Sequence, residues 1–253
     1  MSTPLGIIAD DLTGACDVAA GLSAMGVSSE IRLGVPDADD RPRAECVVVA
    51  LKSRTAPASA AAAESVSAAK VLRGWGAGLI YQKYCSTFDS TDGGNIGPVA
   101  DALLDRMPQG AISVGTPATP PVGRTMHRGH LFVGDRLLSE SSLARHPLTP
   151  MHDPDLVRVL ARQTRHRVGL VPIEDVRAGS AAIVAAVDAL RREGVRHVLV
   201  DAVLDDDLDA LAAALAVFPD VLAGGAAGLI TAIARSLAPA HPAPPHPAPQ
   251  GAP

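Results

Sequence analysis

Leu5-Gly6-Ile7-Ile8-Ala9-Asp10-Asp11-Leu12-Thr13-Gly14-Ala15-Cys16-Asp17 is the stretch that decides how this chain folds. Its first five residues read as a strand buried on both faces, because no polar residue alternates with the apolar ones. From Ala15 to Met25 the pattern turns helical, and Gly26 supplies a left-handed stop. The alternation continues outward. Val47 to Leu51 is a second strand, and Ala58 to Trp75 its helix. Gly78 to Tyr81 opens a third strand, followed by a helix over Ile96 to Met107 and a strand over Ala111 to Val114. Further on, helices are predicted at Asp155–Gln163, Ser180–Glu193 and Asp206–Phe218, with strands at Val168–Val171, Val198–Val200 and Val221-Leu222. Apolar strands alternating with helices specify an α/β fold: a mostly parallel sheet covered by helices on both faces.

Two regions break the pattern. Thr116 to Met151 holds five prolines and few periodic signals, so it is expected to be a long irregular loop, and its Arg, His and Ser content suggests a functional one. Ala238 to Pro253 has seven prolines in sixteen residues and reads as an extended linker or tail, which leaves residues 1–237 as the folded domain.

Composition narrows the function. Of 253 residues, 22 are Lys or Arg and 27 are Asp or Glu, a formal net charge of −5, and only six are aromatic. A chain of that balance is a poor nucleic-acid binder, since phosphate neutralisation needs basic patches. No apolar run is long enough to span a bilayer, and the N-terminus has no signal-peptide pattern. Cys16, Cys46 and Cys85 are far apart and odd in number, which excludes a disulfide framework and fits a reducing cytoplasm.

Five motifs could carry chemistry. Asp10-Asp11, with Thr13, stands where the first strand ends; ligands of open α/β sheets bind at that edge, although either Asp also reads as a helix N-cap. Lys52-Ser53-Arg54 follows the second strand and offers a cationic pair for a carboxylate, with Arg54 as a bidentate fork. Lys83-Tyr84-Cys85-Ser86-Thr87-Phe88-Asp89-Ser90-Thr91-Asp92-Gly93-Gly94-Asn95 packs hydroxyls, carboxylates and glycines in front of a helix N-terminus. In the long loop, Arg124 is a candidate anion binder and His152 a pocket residue; His127 and His130 have HxxH spacing, but Gly129 weakens a zinc reading, and no metal site is expected. Gly224-Gly225-Ala226-Ala227-Gly228 has the shape of a phosphate turn or of tight strand-to-helix packing. Neither GxxxxGK[ST] nor GxGxxG nor GxSxG is present, and Asp10-Asp11 resembles the DxDxT of aspartyl-phosphate phosphatases only loosely.

Taken in order, ADDLTGACD (9–17), LKSR (51–54), KYCSTFDST (83–91), GNIGPVADAL (94–103), GRT (123–125), GHLFV (129–133) and HPLTPM (146–151) resemble the four-carbon acid sugar kinases, most closely those acting on 3-oxo-tetronates. The resemblance covers about residues 5 to 237. It implies an N-terminal sugar-acid-binding domain, a C-terminal ATP-binding domain, and transfer of the γ-phosphoryl group of ATP, with Mg²⁺, to the terminal hydroxyl of a four-carbon acid. Against that pattern the nucleotide domain is expected to be absent from this chain, and Ala227 stands where the family has a serine. On this reading Asp11 and Asp89 orient or deprotonate the hydroxyl. Substrate binding falls to Asp10, Thr13, Lys52, Arg54, Lys83, Ser86, Thr87, Asn95, Arg124 and His152, and Gly224, Gly225 and Gly228 would touch the nucleotide. The expected partners are the sugar acid and either a second copy of this chain or a separate nucleotide-domain chain. The alternative is a sugar-acid-binding module without turnover.

Overall fold

The structure is a computed structural model that describes residues 5–237; the proline-rich segment 238–253 lies outside the described residues. The elements in chain order are β1 (Leu5–Ala9), α1 (Leu12–Ala24), β2 (Ser29–Leu33), β3 (Cys46–Ala50), α2 (Ala58–Gly74), β4 (Leu79–Lys83), α3 (Ile96–Leu104) and β5 (Ile112–Thr116). There follow β6 (Arg124–His127), β7 (His130–Val133), β8 (Arg136–Leu137), α4 (Leu156–Gln163), β9 (Arg167–Val171), α5 (Ile173–Arg177) and α6 (Ser180–Arg192). β10 (Val195–Val200), α7 (Asp205–Leu215), β11 (Val221–Gly225) and α8 (Ala227–Leu237) complete the fold. Eight strands form one sheet in the order β2-β3-β1-β4-β11-β5-β10-β9, with every pair parallel.

Strand alternation explains the two layers. Leu5, Ile7 and Ala9 of β1 point into one core with α1 and α8, whereas Ile8 points into the other with Ala61, Ala68 and Leu72 of α2 and Leu103 of α3. β3 does the same with Val48 and Val47. Both faces are therefore dry, which is why the strands read as unbroken apolar runs. On α6, Ile183 and Val187 are fully buried while Val184 and Leu190 pack beside them, the stripe that the helical spacing predicts.

The expected irregular loop at 116–151 is a folded unit instead. β6, β7 and β8 form a small antiparallel sheet, and Met126, Leu131 and Leu138 are fully buried beneath it. Its anchor is Asp201, a fully buried carboxylate after β10 that accepts the backbone N–H groups of Arg128 (2.6 Å), Gly129 (2.9 Å) and Ile173 (3.1 Å). Single apolar residues in a four-residue strand give too short a period to recognise. β2, half-buried at the sheet edge, and the five-residue α5 escape the sequence reading for the same reason.

Candidate functional site

β1 and β4 are neighbours whose onward connections diverge: α1 leads to β2 on one side and α3 leads to β5 on the other. Such a divergence opens a crevice at the carboxyl ends of the strands. Backbone bonds lock its walls together. The Asp10 N–H donates to the Lys83 carbonyl (3.1 Å), and the Asp10 carbonyl accepts the N–H groups of Ser53 (3.1 Å) and Arg54 (3.3 Å). Three segments far apart in sequence thus converge on one residue.

Arg54 is the electrostatic hub. Its guanidinium donates in a fork to both oxygens of Asp10 (2.8 and 2.9 Å), pairs with Asp11 at 2.9 Å and reaches Asp89 at 3.6 Å. Burial pushes the Asp10 carboxyl upward while the Arg54 fork and the Lys83 charge pull against it. Burial would lower the pKa of Arg54, but the Asp10 bond and the surrounding carboxylates hold it above its already high ordinary value. Asp11 spends its other oxygen on the Gly14 N–H at 2.7 Å, the N-cap of α1. Asp89 accepts the Thr87 hydroxyl at 2.6 Å on Oδ1, which leaves Oδ2 with only the long Arg54 contact.

Lys83 differs. It is 4 % exposed, donates from Nζ to the Tyr84 carbonyl at 2.8 Å, and among the described residues has no carboxylate within 4.0 Å. Its ammonium lies under the first turn of α1, where a Cβ on Gly14 would stand 2.7 Å from both Nζ and Asp11 Oδ1. An ammonium keeps two donors after that one carbonyl bond, and the carboxylates near enough to feel its charge, Asp10 and Asp11, are already bonded to Arg54, so those donors are left for something anionic in the cleft.

Arg54 and Lys83 separate two spaces. Inward lies a chamber of about 20 Å³, with Asp10, Ser53, Gln82, Asp89 and Asn95 among its walls. Outward lies a cleft of about 390 Å³ bounded by Asp11, Thr13, Cys85, Ser86, Thr119 and Ala226. The N-termini of α1 and α8 both open onto this outer cleft. Burial and the neighbouring Asp89 charge push the Cys85 thiol up, which keeps it a neutral wall residue.

The structure brings together Asp10, Asp11, Thr13, Arg54, Lys83, Ser86, Thr87, Asp89 and Asn95, but gives several of them work other than the sequence suggests. Arg54 is claimed by carboxylates of its own chain and is no free fork for a substrate. Asn95 donates its amide to the carbonyls of Ser53 (2.6 Å) and Ala56 (2.8 Å), so it shapes the Arg54 loop. Three predicted residues fall outside. Lys52 is exposed and borders neither space. The Arg124 guanidinium turns back to the Val122 carbonyl. His152 borders a separate cleft with Asp153 and Arg162. The sequence reading also missed Gln82 and Thr119, and it gave Cys85 no role of its own within the Lys83–Asn95 string; Gln82 is an amide inside an apolar strand, bonded to the Ile96 carbonyl at 3.0 Å.

The glycines of the supposed phosphate turn serve packing. Gly224 and Gly225 are the last residues of β11. A Cβ on Gly225 would lie 2.2 Å from the Thr116 carbonyl oxygen and 2.6 Å from the Tyr81 hydroxyl, and one on Gly228 would lie 2.8 Å from the Ala118 carbonyl oxygen. These positions leave no cradle for a phosphate, so the described glycines do not fit a nucleotide. Among the described residues no group of three or more His, Cys, Asp or Glu side chains converges as a metal site, and Asp10 and Asp11 are occupied by Arg54.

Comparison with known proteins identifies the family to which this fold belongs. A 3-oxo-tetronate kinase of Burkholderia multivorans is 50% identical over 225 residues, which are 89% of this chain and 52% of that protein. The Haemophilus influenzae 3-oxo-tetronate kinase is 44% identical over 88% of this chain and 54% of its own length. This chain therefore spans about half the length of the curated relatives it matches. A Haemophilus influenzae crystal structure superposes with a TM-score of 0.87 at 43% identity, covering 92% of this chain and 56% of that one. A Bordetella bronchiseptica structure, described as a domain-swapped dimer with bound citrate, gives 0.77 at 30% identity, covering 92% and 56%. The family described as sugar-binding N-terminal domain matches residues 5–233, nearly the whole of the described fold, and the chain belongs to it.

Proposed function

We propose that the crevice between β1 and β4 binds a four-carbon sugar acid, and that this chain is the acceptor-binding half of an ATP-dependent 3-oxo-tetronate kinase, yielding the 4-phosphate. The observation that carries the reading is Lys83: a buried ammonium without a carboxylate partner, beside carboxylates that Arg54 has already engaged. The substrate carboxylate takes the free donors of Lys83, helped by the α1 and α8 N-termini. The substrate hydroxyls donate to the cluster from the outer cleft, where Asp11 accepts the proton of the terminal hydroxyl, while Asp89, a wall of the inner chamber, supports the Arg54 guanidinium from behind. The Bordetella bronchiseptica relative is described with bound citrate, a carboxylate ligand in keeping with this reading. Thr13, Ser86 and Thr119 line the route to solvent.

The phosphoryl donor is placed outside the described residues, either on the portion of the relatives that this chain does not span or on a partner chain. No helix among the described residues is long and apolar enough to cross a membrane, and the free thiols of Cys16, Cys46 and Cys85 suit a cytoplasmic enzyme. Association as a homodimer is consistent with the dimeric relative.

Calorimetric titration with 3-oxo-tetronate, then with ATP–Mg²⁺, tests the proposal. The sugar acid should bind, Lys83→Met should weaken it by more than about tenfold, and ATP–Mg²⁺ should show no heat. A folded chain that ignores the sugar acid overturns the reading. Sugar-acid binding with no turnover after a relative's remaining half is supplied would instead identify a binding module.

A further inference from the structure

We infer that the groove between α2 and α3 is a second binding site, one for an amphipathic anion such as a medium-chain carboxylate. It lies at the opposite edge of the sheet from the crevice, because Ile80 and Leu222 in its wall are near the starts of β4 and β11. The sequence explains why it is open. α2 presents small side chains here, Val66 and Ala69, which do not fill the distance to Leu103 of α3 and Met107 just beyond it. A space of about 280 Å³ remains, with apolar walls. That is just below the size of ordinary ligand pockets, about 300–1,000 Å³, and suits a short hydrocarbon chain.

The rim supplies the charge. Lys70, Arg73 and Arg106 border the groove, and no acidic residue does, in a chain that carries more acids than bases. Arg73 is held in place by Nη1 bonds to the carbonyls of Ala77 (3.2 Å) and Gly78 (2.9 Å). Asp105, next to Arg106 in sequence, is engaged by Arg165 and Arg196 on the far side. Among the described residues neither Lys70 nor Arg106 pairs with a carboxylate. A hydrated phosphate gains nothing from the apolar walls, and a neutral hydrocarbon gains nothing from three cations; only a molecule with both parts uses the whole site.

Titration of the chain with octanoate, followed by amide shifts in two-dimensional NMR, tests this. Saturable binding should map to α2 and α3, and octanol should bind more weakly than octanoate. Lys70→Glu/Arg106→Glu, two exposed positions that leave folding intact, should weaken octanoate about tenfold. Ala69→Trp should block the groove, whereas Asp89→Asn should change nothing. Absence of saturable octanoate binding to the folded chain, or equal affinity in the double variant, overturns the proposal.

Discussion

Gly14→Ala separates the proposed chemistry from stability. The new methyl would meet Lys83 Nζ and Asp11 Oδ1, each 2.7 Å away, about 1 Å inside normal contact. Both are ends of flexible side chains, so they move and the fold survives. On stability, alanine gains about 1 kcal/mol over glycine within a helix. Disturbing the Asp11 cap on the Gly14 N–H costs about the same. The net change is therefore within about 1 kcal/mol, too little to unfold a domain. On binding, the displaced ammonium loses a charge-assisted hydrogen bond worth about 1.5–3 kcal/mol, or about tenfold to a hundredfold in affinity for the sugar acid. The assay is a pair of measurements on the same protein, thermal unfolding and calorimetric titration with 3-oxo-tetronate. Gly21→Ala is the control: it lies on the same helix but approaches only Thr231 Oγ1, at 3.1 Å. If Gly14→Ala melts like the parent and binds as tightly, the carboxylate does not sit at Lys83 and the site assignment is wrong.

Other perturbations address the scaffold. Gly225→Ala should destabilise the chain by more than about 3 kcal/mol in urea titrations, because its methyl meets backbone at 2.2 Å and cannot be accommodated by a side-chain shift; a stable variant with altered nucleotide binding would restore the phosphate-turn reading. Asn95→Ala leaves the carbonyls of Ser53 and Ala56 without their donor and should cost about 2 kcal/mol while loosening Arg54; unchanged sugar-acid affinity would show that this loop's shape is irrelevant to binding. Asp201→Ala removes three buried N–H partners and should cost about 2–4 kcal/mol, with hydrogen exchange rising first in β6 and β7. Asp153 is held below the ordinary carboxylate range by the Arg158 fork. Its contribution is complete above the unfolded value, near ~3.9, and fades as pH falls through the depressed folded value. The stability gap between the parent and Asp153→Asn should therefore be present at neutral pH and close on acidification; a gap that widens in acid contradicts the pairing.

By itself the sequence determined the parallel α/β architecture and the edge of the sheet where the candidate site lies. Burial on both faces leaves a direct mark, the unbroken apolar run, and Leu5–Ala9, Cys46–Ala50 and Val198–Val200 all carry it. The polar strings placed after those runs, Asp10-Asp11, Lys52-Ser53-Arg54 and Lys83 onward, had to emerge at the carboxyl ends of the strands. Only the tertiary structure decided who meets whom. An apolar run records that a strand is buried but not beside which partner, so the insertion of β11 between β4 and β5 is invisible until the crossovers are placed. The same holds for charge. Arg54 read as free for a substrate because its partners lie 43 and 44 residues earlier; folding hands it to Asp10 and Asp11 and leaves Lys83, buried and without a carboxylate partner, facing the crevice. Ion pairing depends on distances of a few ångströms, and those are set by the pairing of β1 with β3 and β4, a fact of three dimensions that no local pattern encodes.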